Sequence, residues 1–174
     1  MTYIVILRGP AGVGKSTIGL RLAKQVAGKH LAIDEVLTSN KLDVIEGDCI
    51  PEKNFLRANV ISLPFIKETV KENSPLIIDG NFYFAAPLDY FSRFGVPVYV
   101  FTLNASLTTC LARDAKRTKP IGARSIKAVY VLSKRISRGR LIDTEHKTVS
   151  AICEEILFYV RFEEEKRAKK PSSH

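Results

Sequence analysis

Thr2-Tyr3-Ile4-Val5-Ile6-Leu7-Arg8-Gly9-Pro10-Ala11-Gly12-Val13-Gly14-Lys15-Ser16-Thr17 is the stretch whose reading decides the fold. Residues 2–7 form an apolar, β-branched run that stops at Arg8-Gly9, as a buried strand would. From Gly9 the letters follow Gly-x4-Gly-Lys-Ser/Thr, and a helical-looking segment over 18–26 comes next. Glycines let backbone N–H groups turn toward phosphate oxygens with no Cβ in the way. A helix starting near Gly14 aims the positive end of its dipole at the same anion. The Lys15 ammonium reaches β- and γ-phosphates, and the Ser16 hydroxyl is a ligand for Mg²⁺. The plainer alternative is a glycine-rich turn that only joins a strand to a helix. The complete pattern in a strand–loop–helix context favours phosphate binding by Gly9, Pro10, Ala11, Gly12, Val13, Gly14, Lys15, Ser16 and Thr17.

The 174 residues suit one domain with a substantial core, and 45% hydrophobic with 26% charged residues is a globular composition. No run is apolar for long enough to span a bilayer, and the N-terminal apolar run reads as a strand rather than a leader. Cys49, Cys110 and Cys153 are far apart with no Cys-x-x-Cys pair, which argues against a disulfide framework or zinc site and predicts a cytoplasmic setting. The net charge is +9, and residues 113–140 hold ten basic residues against the single acid Asp114. That segment carries the whole excess. Charge this confined points to a surface that meets phosphate, nucleic acid included; its alternative is a solvated helix face.

Along the rest of the chain, strands and helices alternate. Residues 31–33 read as a short strand ending at Asp34, on the ligand side of an α/β sheet. Asp34 is placed there to take a proton from a hydroxyl or to hold Mg²⁺ through water, its alternative being a helix N-cap. Residues 53–73 are predicted as a helix that Pro64 can kink, with Phe55, Val60, Leu63, Phe65, Ile66 and Val70 inward. Arg57 and Asn59 face either an acceptor or solvent. Leu76-Ile77-Ile78-Asp79-Gly80 reads as a buried parallel strand that puts Asp79 where a Walker-B type carboxylate holds the Mg²⁺ shell. The aromatic cluster Phe82, Tyr83, Phe84 is assigned to core packing before a substrate pocket. A short helix is expected over 88–94 and a strand over 96–103. A helix over 106–119 sets Arg113 and Arg117 one turn apart, able to grip a phosphate between them. A second basic helix is expected over 123–137, a last strand over 140–144, and an amphipathic helix over 148–169 with Phe158 and Tyr159 as candidates for its inner face. The tail 171–174 is expected to fray. His30, His146 and His174 are scattered and form no metal or catalytic set in the sequence.

Five such alternations predict an α/β chain, a three-layer α/β/α fold with a five-stranded parallel sheet and right-handed crossovers. The loops at the strand ends then converge, and the two-helix arm at about 113–138 lies over the nucleotide as a lid.

These pieces resemble the compact P-loop kinases related to nucleoside monophosphate kinases. The small-acceptor and 5′-hydroxyl group is the most similar: shikimate and gluconate kinases, chloramphenicol phosphotransferase, zeta toxins and the kinase half of polynucleotide kinase. The matching residues are Gly9-x4-Gly14-Lys15-Ser16-Thr17, Asp34, IIDGNFY at 77–83, Cys110-Leu-Ala-Arg113-Asp114-Ala-Lys-Arg117 and LIDT at 141–144. The resemblance implies a single P-loop kinase domain over 1–170 and ATP-Mg²⁺ phosphotransfer to a hydroxyl. Lys15 and Ser16 would hold phosphate and metal, Asp34 would be the base, and Arg113 and Arg117 the lid arginines. Two departures concern the acceptor. Relatives often follow the second-strand Asp with Arg, whereas Glu35-Val36-Leu37 follows here, and no glycine-rich acceptor loop of the shikimate type follows the third strand.

The leading expectation is therefore an alcohol-acceptor phosphotransferase, acting on a small molecule or a polynucleotide 5′ end. The alternatives are a nucleotide-dependent switch or ATPase, and a nucleic-acid-binding regulatory protein without an acceptor. No Asn-Lys-x-Asp sequence speaks for GTP, and no apolar patch or heptad speaks for a dimer, so a monomer without membrane contact is expected.

Overall fold

The computed structural model describes residues 2–169. The predicted tail at 171–174 lies outside the described residues. Five parallel strands, β1 (Ile4–Arg8), β2 (Lys29–Ala32), β3 (Leu76–Gly80), β4 (Val98–Asn104) and β5 (Arg140–Asp143), form one sheet in the order β2-β3-β1-β4-β5. β1 and β3 are buried along their whole length, which is why they read as unbroken apolar runs. Because β1 is central, with β3 on one side and β4 on the other, the loops after these three strands meet above one edge of the sheet.

Alternate residues of the strands supply two cores. Val5, Leu7, Ile77, Phe101 and Leu103 face α1 (Lys15–Gln25), α6 (Leu107–Ala115) and α8 (Val149–Lys169), which contribute Leu22, Cys110 and Ile156 among others. Ile4, Ile6, Leu76 and Ile78 face the other layer: α2 (Ile33–Ser39), α3 (Glu52–Ile61), α4 (Leu63–Lys71), α5 (Ala85–Asp89) and a 3-10 turn at Tyr90–Phe94. The helix α7 (Ala123–Leu132) buries Ile126 in the first core and Leu132 in the second, so the basic arm rests on the body of the domain. Phe82 and Tyr83 pack in the second core, with Phe55 edge-on to Tyr83 at 5.1 Å between centroids, the packing role the sequence favoured.

Several local expectations are corrected. Residues 53–73 are two helices, not one kinked helix: Pro64 lacks an N–H and starts a new helix just after the buried Ser62. The break resets the helical phase and leaves Val60 exposed rather than inward. Asn59 does not face an acceptor; it is fully buried and donates from Nδ2 to the Pro87 carbonyl at 2.8 Å, while Arg57 is exposed. β2 stops at Ala32, so Asp34 sits in the first turn of α2 rather than beyond a strand. The helix expected over 106–119 ends at Ala115, where the Asp114 carboxylate turns back to accept from the N–H groups of Ile121 (3.3 Å) and Gly122 (3.1 Å). The helix expected to 137 ends at Leu132. Phe158 points outward at 73% exposure, because its neighbours Ile156 and Val160 hold the inner face of α8.

Candidate active site

Gly14 is the N-cap of α1, in a left-handed conformation at φ 102° that glycine tolerates best. No side chain caps this helix and no acid lies in its first turn, so its first N–H groups and its dipole are left for an anion. Gly12 serves packing as well: a Cβ there would come within 2.5 Å of the Cys110 carbonyl oxygen on α6. The loop therefore lies flush against α6 while its amides line the opening. These features fit the phosphate chain of a nucleotide.

Lys15 folds back under the loop. Its ammonium, 7% exposed as a residue, donates to the carbonyls of Gly9 (3.1 Å) and Pro10 (3.0 Å) and to Asn81 Oδ1 (2.7 Å). Burial pulls its pKa below the usual lysine value, and the nearby Asp34 and Asp79 carboxylates oppose the shift. The Asn81 backbone N–H donates to Asp34 Oδ1 at 3.0 Å. One residue after β3 thus ties Lys15 to Asp34. Burial raises the Asp34 carboxyl above its ordinary value, while Lys15 and the Asn81 hydrogen bond act against the rise.

Ser16 Oγ donates to Asp79 Oδ1 at 3.0 Å. Mg²⁺ prefers hard oxygen donors and takes one or two protein ligands beside phosphate oxygens and water. The Ser16 hydroxyl and the Asp79 carboxylate, adjacent at the mouth of the phosphate loop, fit that requirement. Asp79 is 1% exposed, and its second oxygen lies 2.6 Å from His30 Nε2 on β2.

Arg113 and Arg117 border a cavity of about 290 Å³ beside the phosphate loop, together with Val13, Thr17, Thr144 and Lys147. The sequence set both on one helix face, but α6 ends at Ala115, so only Arg113 is helical and Arg117 lies in the bend that follows. Arg113 is fastened to the protein: Nη1 donates to the Val13 carbonyl and to Thr144 Oγ1, both at 3.1 Å, and Nη2 to the Thr144 carbonyl at 2.6 Å. Arg117 is exposed, 3.7 Å from Asp114. Its charge is felt by both Lys15 and Asp34. Next to Thr144 in sequence, Glu145 anchors the start of α6, accepting from Ser106 Oγ (2.6 Å), the Ser106 N–H (3.0 Å) and Thr109 Oγ1. Those hydrogen bonds hold its carboxyl down to about 2.

Sequence reasoning overlooked Arg8, His30, Asn81, Thr144 and Glu145. Arg8 left one signal, a charge closing an otherwise apolar strand. Its buried guanidinium donates to the Phe82 carbonyl (3.0 Å), Thr102 Oγ1 (2.8 Å) and the Ser133 carbonyl, joining the ends of β1 and β4 to the end of α7. Burial lowers its pKa to about 10. Among the described residues no helix is long and apolar enough to cross a membrane.

The fold recurs in solved structures. A sugar kinase from Janibacter sp. HTCC2649 superposes with a TM-score of 0.76 at 15% identity, over 92% of this chain and 95% of that one. A gluconokinase from Sinorhizobium meliloti 1021 does so at 0.66 and 15% identity, over 98% and 97%. A shikimate kinase from Acinetobacter baumannii, in complex with shikimate, gives 0.60 at 18% identity, over 92% and 93%. At these identities the likeness is one of fold alone: a five-stranded parallel sheet between helical layers, the α/β architecture the sequence led us to expect. Human tRNA dimethylallyltransferase is 28% identical over 118 residues, 67% of this chain; the match spans only 25% of that protein's length. A family model described as AAA domain matches residues 4–129, most of the described chain and all of the phosphate-loop machinery, and on that match the protein belongs to the AAA_33 family of AAA domains.

Proposed function

We propose that this chain is an ATP- and Mg²⁺-dependent kinase that transfers the γ-phosphoryl group to a hydroxyl of a small molecule. The observation that carries the reading is the Lys15–Asn81–Asp34 connection: a phosphate-binding cation and a carboxylate of raised proton affinity held by one residue at the mouth of the phosphate loop. An ATPase could use the same carboxylate to orient water, so the fate of the transferred phosphate separates the two readings. The sugar kinase, gluconokinase and shikimate kinase that share the fold support the same class of chemistry.

In this reading the loop amides and the N-terminus of α1 hold the β-phosphate, and Lys15 moves from its carbonyl partners to the β- and γ-phosphate oxygens. Ser16 and Asp79 would hold Mg²⁺, which would supply charge neutralisation on those oxygens. The acceptor oxygen attacks the γ-phosphorus, the bond to the bridging oxygen of ADP breaks, and the hydroxyl proton passes to Asp34. A carboxyl pKa raised above the usual aspartate value by burial makes it a better base than an ordinary aspartate. Arg117 adds positive charge from the arm, Arg113 props the nucleotide side of the loop, and closure of the arm would exclude water.

A polynucleotide 5′ hydroxyl is the second reading. Of the ten basic residues over 113–140, nine are exposed, more than a small-molecule kinase needs for ATP. The partial match to a human tRNA dimethylallyltransferase points the same way. Both readings are tested together by following labelled γ-phosphate from ATP-Mg²⁺ into a pool of sugars, sugar acids, nucleosides and 5′-hydroxyl oligonucleotides at low and moderate salt. Label on a small molecule, insensitive to salt, is the expected result. Label on an oligonucleotide that fades with salt would make the arm a nucleic-acid track. Label found only as free phosphate would overturn the kinase reading in favour of an ATPase.

A further inference from the structure

Asp79 is gripped from both sides, and the grip has shaped the helix above it. Oδ1 receives the Ser16 hydroxyl at 3.0 Å, and Oδ2 lies 2.6 Å from His30 Nε2. His30 comes from β2, the neighbour of β3 in the sheet, with a side chain only 15% exposed. Directly over the pair lies Gly19, in the middle of α1, where glycine is the poorest residue for a helix after proline. A Cβ at Gly19 would come within 2.9 Å of His30 Nε2, 3.1 Å of His30 Cδ2 and 3.3 Å of Asp79 Oδ2. The φ of Gly19 is not in the left-handed region, so space under the helix is the reason for glycine there.

We propose that His30 is a positioning residue for the metal shell: it holds Oδ2 so that Oδ1 faces Ser16, and Gly19 clears the room it needs. This rests on the assignment of Ser16 and Asp79 to Mg²⁺ under the kinase reading. The imidazole comes from β2, not from the phosphate loop, and no other described side chain hydrogen-bonds to Oδ2. A buried carboxylate free to rotate would divide its time between orientations, and a fixed one meets the cation already oriented. Partners of this kind change metal affinity by about 10- to 100-fold when removed.

The test measures Mn²⁺ affinity of the protein–ADP complex by electron paramagnetic resonance, alongside ADP affinity without metal, in wild type, His30→Leu, His30→Gln and Gly19→Ala. His30→Leu and Gly19→Ala should weaken Mn²⁺ binding by about 10-fold or more and leave metal-free ADP binding unchanged. His30→Gln, which keeps a donor for Oδ2, should recover most of the loss. Gly19→Ala perturbs the pair without altering either member, since its Cβ must push the imidazole away from Asp79; His30→Gln, with thermal unfolding of every variant, guards against a folding artefact. Wild-type Mn²⁺ affinity in both His30→Leu and Gly19→Ala would overturn the proposal, as would a loss of thermal stability with metal affinity intact. A wild type that binds Mn²⁺-ADP with the predicted ranking, yet transfers no phosphoryl group to any acceptor, would overturn the kinase reading and leave this inference standing.

Discussion

The floor of the candidate site and the basic arm above it are built on opposite terms. On the floor, Lys15 and Asp79 are buried, and each has named partners at hydrogen-bond distance. On the arm, nine of ten cations face solvent. The border between the two runs through the end of α6: Arg113 lies in its last turn and donates three hydrogen bonds to the loops after β1 and β5, while Arg117, just past the helix end, is exposed. An (i, i+4) pair of arginines is thus not automatically a phosphate clamp. One of them is spent on architecture, and only the other is free to respond to a ligand.

The comparison is broken hardest at Lys15. Lys15→Ala should lower phosphoryl transfer by at least about 10³-fold, since it removes the preorganised charge facing the transferred group. The fold should survive, because the relief of a desolvated charge offsets part of the cost of the three hydrogen bonds lost with it. Circular dichroism and the labelled-phosphate assay together check this. Unchanged transfer would remove Lys15 from the chemistry.

Arg113 and Arg117 sharpen the border. Arg113→Ala should destabilise the protein by about 2 kcal/mol, through the Thr144 carbonyl left without its donor and the lost bonds to Val13 and Thr144 Oγ1, and should weaken nucleotide binding as the loop loosens. Arg117→Ala should stay within about 0.5 kcal/mol of wild-type stability, as exposed ion pairs contribute little, while transfer falls. Thermal unfolding set beside the transfer rate separates the two. Equal destabilisation would erase the distinction.

Glu145 gives a smaller effect, read through pH. Its folded pKa, about 2, lies below the ordinary glutamate value of 4.5, so the ionised form is favoured by folding. The associated stability is present above pH 4.5 and is lost as pH falls toward 2. Glu145→Gln should therefore unfold at a lower temperature than wild type at pH 7, with the gap closing in acid. A gap that persists at pH 2–3 would assign the loss to geometry rather than charge.

Much of this was readable from the residues, for physical reasons that differ by element. β1 and β3 are central parallel strands buried on both faces, so continuous apolar runs betray them, and Asp79 at the end of one is conspicuous. The phosphate loop is legible because few residue types satisfy its backbone. That five parallel strands share one sheet follows from alternation; their order β2-β3-β1-β4-β5 does not. Boundaries were less legible. Helices at 53–73 and 106–119 were read too long, because the features that end them are tertiary or turn-specific: a restart at Pro64, and a carboxylate of Asp114 turning back on its own loop. Partnerships were least legible. His30 looked isolated because its partner is 49 residues away, on a neighbouring strand. Asn81 reads as an ordinary turn residue, and only the meeting of the β2 and β3 ends makes it the link between Lys15 and Asp34. Arg113 was read from its helix face, but its role is set by Thr144, 31 residues on.

Asp34 is where the account is most exposed. The measurement to make first is transfer of labelled γ-phosphate by wild type and Asp34→Asn, with ATP affinity determined on both. The account predicts label on a hydroxyl acceptor with wild type, and a drop in turnover of about 10²- to 10⁴-fold in the variant at unchanged ATP affinity. The folded Asp34 pKa lies above its ordinary value, so its charge costs stability once pH exceeds that folded value; the variant should therefore be no less stable at neutral pH. Wild-type turnover in Asp34→Asn, or a loss confined to ATP binding, would contradict the assignment of Asp34 as the base and with it the central claim.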